Sequence, residues 1–194
     1  MSSLYKCYVS HIEFVRKPIL ISSVALWIIN KVKFIRTELG ITQREVHKYL
    51  GLSDDGNILG AIESQFVINR YTDEQLNKLA RKFTEIAVLK GSDNTYTLND
   101  FYPPVDFDEK MVEKIVIKIQ PTELKQTGVL YLLLVEEKDS FFDEWHSAKE
   151  IAHHCGSKAE KNWEAKDFTA IIEATVKKGN LLRKSDDEAL FKRP

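Results

Sequence analysis

Apolar residues fall three and four positions apart at Ala25, Ile28, Val32, Ile35 and Leu39, the spacing of one buried helix face, and Gly40 follows as a helix-ending glycine would. Thr42-Gln43-Arg44-Glu45 then has the form of a capping box. The threonine hydroxyl accepts from the third backbone amide while Glu45 reaches back, and Val46 and Leu50 supply a short inward stripe before Gly51. A three-residue turn, Gly51-Leu52-Ser53, leads to a third short helix carrying Ile58, Leu59 and Ile62. Helix, tight glycine turn, helix is the sequence shape of a helix-turn-helix. Tyr71-Thr72-Asp73-Glu74-Gln75 opens a fourth helix with Leu76, Leu79, Ala80 and Phe83 inward, extending to Leu89. Gly91-Ser92-Asp93-Asn94 breaks it, and residues 98–102 form a fifth, short turn of helix.

Pro103-Pro104 with Asp106, Asp108 and Glu109 disfavours helix and favours water, which sets a domain boundary there. Residues 105–121 are expected to be a linker holding one strand, with Ile115, Ile117 and Ile119 alternating with Val116 and Lys118 and Pro121 ending it. In residues 122–194 the almost wholly apolar run 129–135 predicts a central buried helix, and residues 141–146 a short strand. Ser147-Ala148-Lys149-Glu150 repeats the capping-box chemistry and opens a helix stopping at Gly156. After a polar insertion at 157–161, Asp167 caps a helix burying Phe168, Ile171, Ile172 and Val176 and ended by Gly179. Strand, turn and strand over 181–193 complete the order of a winged helix. The fold class expected is therefore mainly α: a five-helix helix-turn-helix domain at 20–104 plus a winged-helix (α+β) domain at 122–194. Residues 1–19, with Tyr5, Tyr8, Ile12, Phe14 and Val15, are too apolar for a free tail and are expected to dock on a domain or on a symmetry mate.

Composition removes several classes. The chain has 194 residues, 43% of them hydrophobic, which excludes wholesale disorder. Two cysteines, Cys7 and Cys155, make no disulfide framework, and a reducing, cytoplasmic setting is the expectation. The apolar stretch 19–29 falls short of the roughly 20 residues that span a bilayer, and Asn30, Lys31 and Lys33 follow it where a signal peptide would place small residues. No membrane partner is expected. Net charge is -1, from 28 basic and 29 acidic residues, so any nucleic-acid role must rest on local patches.

Residues 24–104 resemble the lambda-repressor-like (Cro and Xre) helix-turn-helix family. Ile35-Arg36, Gly40-Ile41-Thr42-Gln43, Tyr49-Leu50-Gly51-Leu52-Ser53, Ile62-Glu63-Ser64 and the stretch from Leu76 through Leu79-Ala80-Arg81-Lys82-Phe83 carry the resemblance, about eighty residues in order. It implies double-stranded DNA as partner, the third helix entering the major groove near 57–61, and Thr42, Gln43, Arg44 and Lys48 on phosphates, with Ser53 and Asn57 at the reading end. It also implies a partly buried salt bridge, Arg36 with Glu63, joining the first and third helices as structure. One departure matters. About two extra residues lie between Ser53 and Ile62, so Asp54 and Asp55 stand where groove-reading side chains begin, and carboxylates facing phosphates oppose binding.

By pattern, the third helix of the winged-helix half shows Lys166, Thr169, Ala170, Glu173 and Lys177 outward, with Arg183, Lys184, Lys192 and Arg193 beside the wing and an acidic tip at 185–188. Lys166, Thr169, Lys177, Arg183 and Lys184 join the candidate DNA contacts. His146, His153, His154 and Cys155 crowd together without a zinc-site spacing, so no metal is expected. Trp27, Trp145 and Trp163 lie in apolar stretches and are expected in cores. Neither a phosphate-binding glycine loop nor a nucleophile elbow occurs, so neither enzyme nor cofactor is expected. These readings converge on a DNA-binding transcriptional regulator acting as a homodimer. The rival is an interaction or assembly module, antitoxin-like, whose helix-turn-helix surfaces bind a protein partner.

Overall fold

The helical stripes legible in the chain gather into two apolar clusters, and the first long helix serves both. The computed structural model describes residues 19–52, 58–185 and 187–194; among them the chain is mainly helical with two small antiparallel sheets. Helix α1 (Ser23–Glu38) buries Ala25, Ile28, Ile29, Val32 and Ile35 in the first cluster, and its Phe34 packs against the second. Gly40 ends it with φ +61°, a left-handed conformation that favours glycine. Helix α2 (Gln43–Tyr49) starts at a complete capping box: Thr42 Oγ1 accepts from Glu45 N at 3.0 Å, and Thr42 N donates to Glu45 Oε2 at 2.8 Å. Helix α3 (Ile58–Glu63) buries Leu59 and Ile62. Helix α4 (Asp73–Leu89) opens on the Thr72–Gln75 box and turns Leu76, Leu79, Ala80 and Phe83 into the first cluster. Phe101, from the short turn Leu98–Phe101, meets Phe83 edge-on at 6.2 Å.

The segment after Pro103-Pro104 folds back on this helical unit. Strand β1 (Leu20–Ser22) pairs antiparallel with β2 (Met111–Glu113) in the register Leu20 with Glu113 and Ser22 with Met111. Phe107 lies edge-on to Trp27 with ring centroids 5.3 Å apart. The strand expected over 115–119 is therefore found earlier. Its isoleucine alternation is used differently: Val116 packs inward while Ile115 and Ile117 are exposed, and side chains of α1 take the backbone groups that a strand partner would have taken. Ile117 N donates to Asn30 Oδ1 at 3.1 Å, and Lys33 Nζ donates to Ile117 O at 2.7 Å.

The second cluster forms around α5 (Gln126–Tyr131), which continues through a wider π-type turn at Leu132–Glu136 and buries Val129, Leu130, Leu133 and Leu134. In place of a strand over 141–146 there is a helical turn at Ser140–Asp143 followed by β3 (His146–Ser147). Helix α6 (Ala148–Ala159) starts on the Ser147–Glu150 box and runs past Gly156. That glycine is needed for space instead: a Cβ there would lie 2.6 Å from Lys161 O, so the following chain crosses directly over α6. Helix α7 (Ala165–Lys177) begins two residues before Asp167, whose carboxylate accepts from Glu164 N at 3.0 Å. Strands β4 (Leu182–Arg183) and β5 (Leu190–Lys192) join β3 in the order β3-β5-β4, all antiparallel. Among the described residues no helix is long and apolar enough to cross a membrane. The expectations placed on residues 1–18, on Ser53, Asp54, Asp55, Gly56 and Asn57, and on Asp186 lie outside the described residues.

Candidate nucleic-acid interface

Arg36 is the hub of the helix pair. Its side chain is 0% exposed, and Nε and Nη2 donate to Glu63 Oε1 and Oε2 at 2.6 and 2.5 Å in a fork against a carboxylate itself 4% exposed. Nη1 donates to Glu136 Oε1 at 2.8 Å, and Tyr131 Oη donates to the same oxygen at 2.7 Å. The predicted partners of the first and third helices thus meet, with a third partner from the second cluster that the sequence reading missed. Burial opposes the Arg36 charge, and Glu63 and Glu136 more than restore it, so its pKa rises. For Glu136, burial alone would raise the carboxyl; the Arg36 charge and the Tyr131 hydrogen bond outweigh it and hold the group below its ordinary value. Burial pushes the Tyr131 phenol up.

The start of α2 divides its candidate contacts. Thr42 is spent on the cap. Gln43 Nε2 donates to Glu63 Oε2 at 2.7 Å, so the side chain expected on phosphate is instead part of the Arg36–Glu63 clasp and ties α2 to α3. Arg44 and Lys48 are exposed, and their four-residue spacing puts both on one outer face of α2. Glu45 also receives Lys178 Nζ at 3.0 Å, which anchors the end of α7 beside the start of α2. Burial tends to raise the Glu45 carboxyl, but the Thr42 amide and Lys178 hold it below its ordinary value. Ser53 and Asn57 lie outside the described residues.

In the C-terminal half most candidate cations already hold carboxylates. Lys166 pairs with Glu164 at 2.9 Å, Arg183 with Glu173 at 3.0 Å, and Lys184 with Glu188 at 2.6 Å. Such exposed pairs are worth roughly 0–1 kcal/mol, but each cancels field that a phosphate would feel. Thr169 Oγ1 donates back to Ala165 O at 3.2 Å, and Lys177 is exposed. Lys192 lies over the Trp145 ring at 4.9 Å, and Arg193 is a clasp to Asp143, Leu134 O and Asp139 O.

The histidines do not converge. His146 and His154 both stack on the Phe141 ring, at centroid distances of 3.7 and 3.9 Å, and His154 Nε2 lies 3.0 Å from Asp139 Oδ2. Among the described residues no group of three or more His, Cys, Asp or Glu side chains is arranged to hold a metal ion. Cys155 is fully buried, and burial pushes its thiol up to about 12, which makes it a poor nucleophile. The ring stack had no sequence signal, because Phe141, His146 and His154 come from a turn, a strand and a helix. Comparison with protein-family models, with curated proteins and with solved structures gave no match.

Proposed function

We propose that the chain is a DNA-binding regulator that acts as a homodimer in the cytoplasm, with α2 and α3 as its helix-turn-helix. The observation that carries this reading is the Arg36–Glu63–Gln43 clasp: it locks α3 against α1 and α2 and leaves Arg44 and Lys48 outward on α2, where phosphate contacts of such a pair belong. The order β3, α6, α7, β4, β5 supports a winged helix in the second half, where Lys177 is exposed and, among the described residues, is not in a carboxylate pair such as those that occupy Lys166, Arg183 and Lys184.

The test is binding to a pool of random duplex DNA across a salt series. Each phosphate contact contributes about 0.9 to the slope of log affinity against log salt. Arg44→Glu and Lys48→Glu are expected each to weaken binding and flatten that slope by about one, whereas Gln43→Ala acts on stability and leaves the slope alone. A second reading, a protein-interaction module, is favoured by three consecutive apolar side chains exposed after α3, Phe66, Val67 and Ile68. Negligible binding at low salt would overturn the DNA reading and leave this one.

A further inference from the structure

Between the two clusters, where α1 ends, the chain encloses a cleft of about 280 Å³. Its walls are mostly apolar: Leu89 from the end of α4, Tyr131, Leu134 and Val135 from the α5 side, and Ile171 and Ala174 from α7. Its polar end is built from two lysines. Lys90 Nζ donates to Leu39 O and Lys178 Nζ donates to Gly40 O at 3.1 Å, so both ammonium groups converge on consecutive carbonyls at the C-terminus of α1. Gly40 lets the chain turn tightly at this point. Its φ is +61°, and a Cβ there would sit 3.2 Å from Thr127 Cγ2 and 3.6 Å from Lys90 Nζ.

We propose that this cleft binds a small organic carboxylate with an apolar body, its carboxylate between Lys90 and Lys178 and its body against Leu134, Val135 and Ile171. An ammonium carries three donors. Lys90 uses one on Leu39 O, and Lys178 uses two, on Gly40 O and Glu45 Oε1, which leaves donors for an anion. Desolvation and the neighbouring Lys178 push Lys90 down to about 8, with Glu45 and Glu38 only partly offsetting them, and an anion between the two cations relieves both effects. Charge at one end and apolar wall elsewhere select an amphipathic monoanion over a phosphate. A cavity of roughly 150 Å³ lined by apolar side chains already holds benzene, so this cleft has room for a benzoate. Ala170 and Ala174 are small and exposed, and they leave the mouth open along α7. The site rests on the seam between the halves and stands whether or not the chain binds DNA.

Titration calorimetry of the full chain with benzoate and hexanoate, against benzamide and inorganic sulfate, tests the proposal without any variant. The expected result is saturable binding of both carboxylates and at least about tenfold weaker binding of benzamide, which loses the charge-assisted hydrogen bonds, and of sulfate, which has no apolar body to bury. Nuclear Overhauser contacts from the benzoate ring to the methyl groups of Leu134, Val135 and Ile171 locate it. Lys90→Gln and Lys178→Gln are expected to weaken benzoate about tenfold, and Ala174→Phe to block it by filling the mouth. Benzamide binding as well as benzoate, ring contacts elsewhere, or undiminished binding in a folded Ala174→Phe chain would each overturn the proposal.

Discussion

Replacing Glu63 by alanine strikes the clasp that holds the buried Arg36 charge. It removes the fork from Arg36 at 2.6 and 2.5 Å and the Gln43 contact at 2.7 Å, and leaves a fully buried guanidinium with Glu136 as its remaining carboxylate. Breaking a buried pair by deleting one partner costs about 3–5 kcal/mol, since the survivor is an uncompensated buried charge. Glu136 remains at 2.8 Å but is 27% exposed, so it offsets only part of that and the expected loss is about 3 kcal/mol. For a chain of this size that corresponds to a fall in Tm of about 6–12 °C. Arg36→Met with Glu63→Leu removes both charges while keeping volume, and is expected to cost less than about 1.5 kcal/mol. Urea unfolding of Glu63→Ala, and of the cycle formed by the wild type, Arg36→Met, Glu63→Leu and the double variant, followed by both circular dichroism and tryptophan fluorescence, measures the loss and the coupling and tests for a single transition. A loss below about 1 kcal/mol in Glu63→Ala, or a double variant as unstable as that single one, would refute the account of Arg36 as a buried charge dependent on its clasp.

Three further outcomes are expected. The Glu136 carboxyl titrates below its ordinary value of 4.5 in the folded chain, so its contribution is present above that value and is lost as pH falls through the folded pKa; acid unfolding of Glu136→Gln should be less steep below pH 4.5 than that of the wild type. Gly156→Ala would put a Cβ 2.6 Å from Lys161 O, a backbone atom that cannot swing aside, and should cost about 1–3 kcal/mol in denaturant unfolding. Lys114, 1% exposed, donates to Val67 O at 2.5 Å, Asn69 O at 3.3 Å and Ala61 O at 3.5 Å; Lys114→Met should free the chain after α3 and speed tryptic cleavage at the exposed Arg70, and an unchanged rate would show that other contacts hold that segment.

Helix starts and stops were legible because they are settled within a few residues. Thr42, Thr72 and Ser147 each have a partner three positions on, and each box forms as read; Gly40, Gly51, Gly91 and Gly179 all adopt the positive φ that ends or follows a helix. The 3.6-residue stripes likewise state which face is buried without naming what covers it. Even the Arg36–Glu63 contact entered through a resemblance, not through spacing, since 27 positions separate the two.

What covers each face was decided by contacts that local pattern cannot encode. Residues 105–121 read as a linker because prolines and carboxylates favour water there, yet β2 pairs with β1 some ninety positions away and Lys114 finds carbonyls to donate to. Gly156 read as a helix end, but the chain crossing at Lys161 is what requires it. Gln43 read as a phosphate contact, and Glu63 claims its amide. The cleft between the clusters exists only because α1, α4, α5 and α7 meet at Gly40, bringing Lys90 and Lys178 to neighbouring carbonyls. Periodicity and capping are short-range forces and leave their mark in adjacent residues. Charge pairing, close approach and enclosed volume arise when distant segments meet, so the tertiary structure alone decided them.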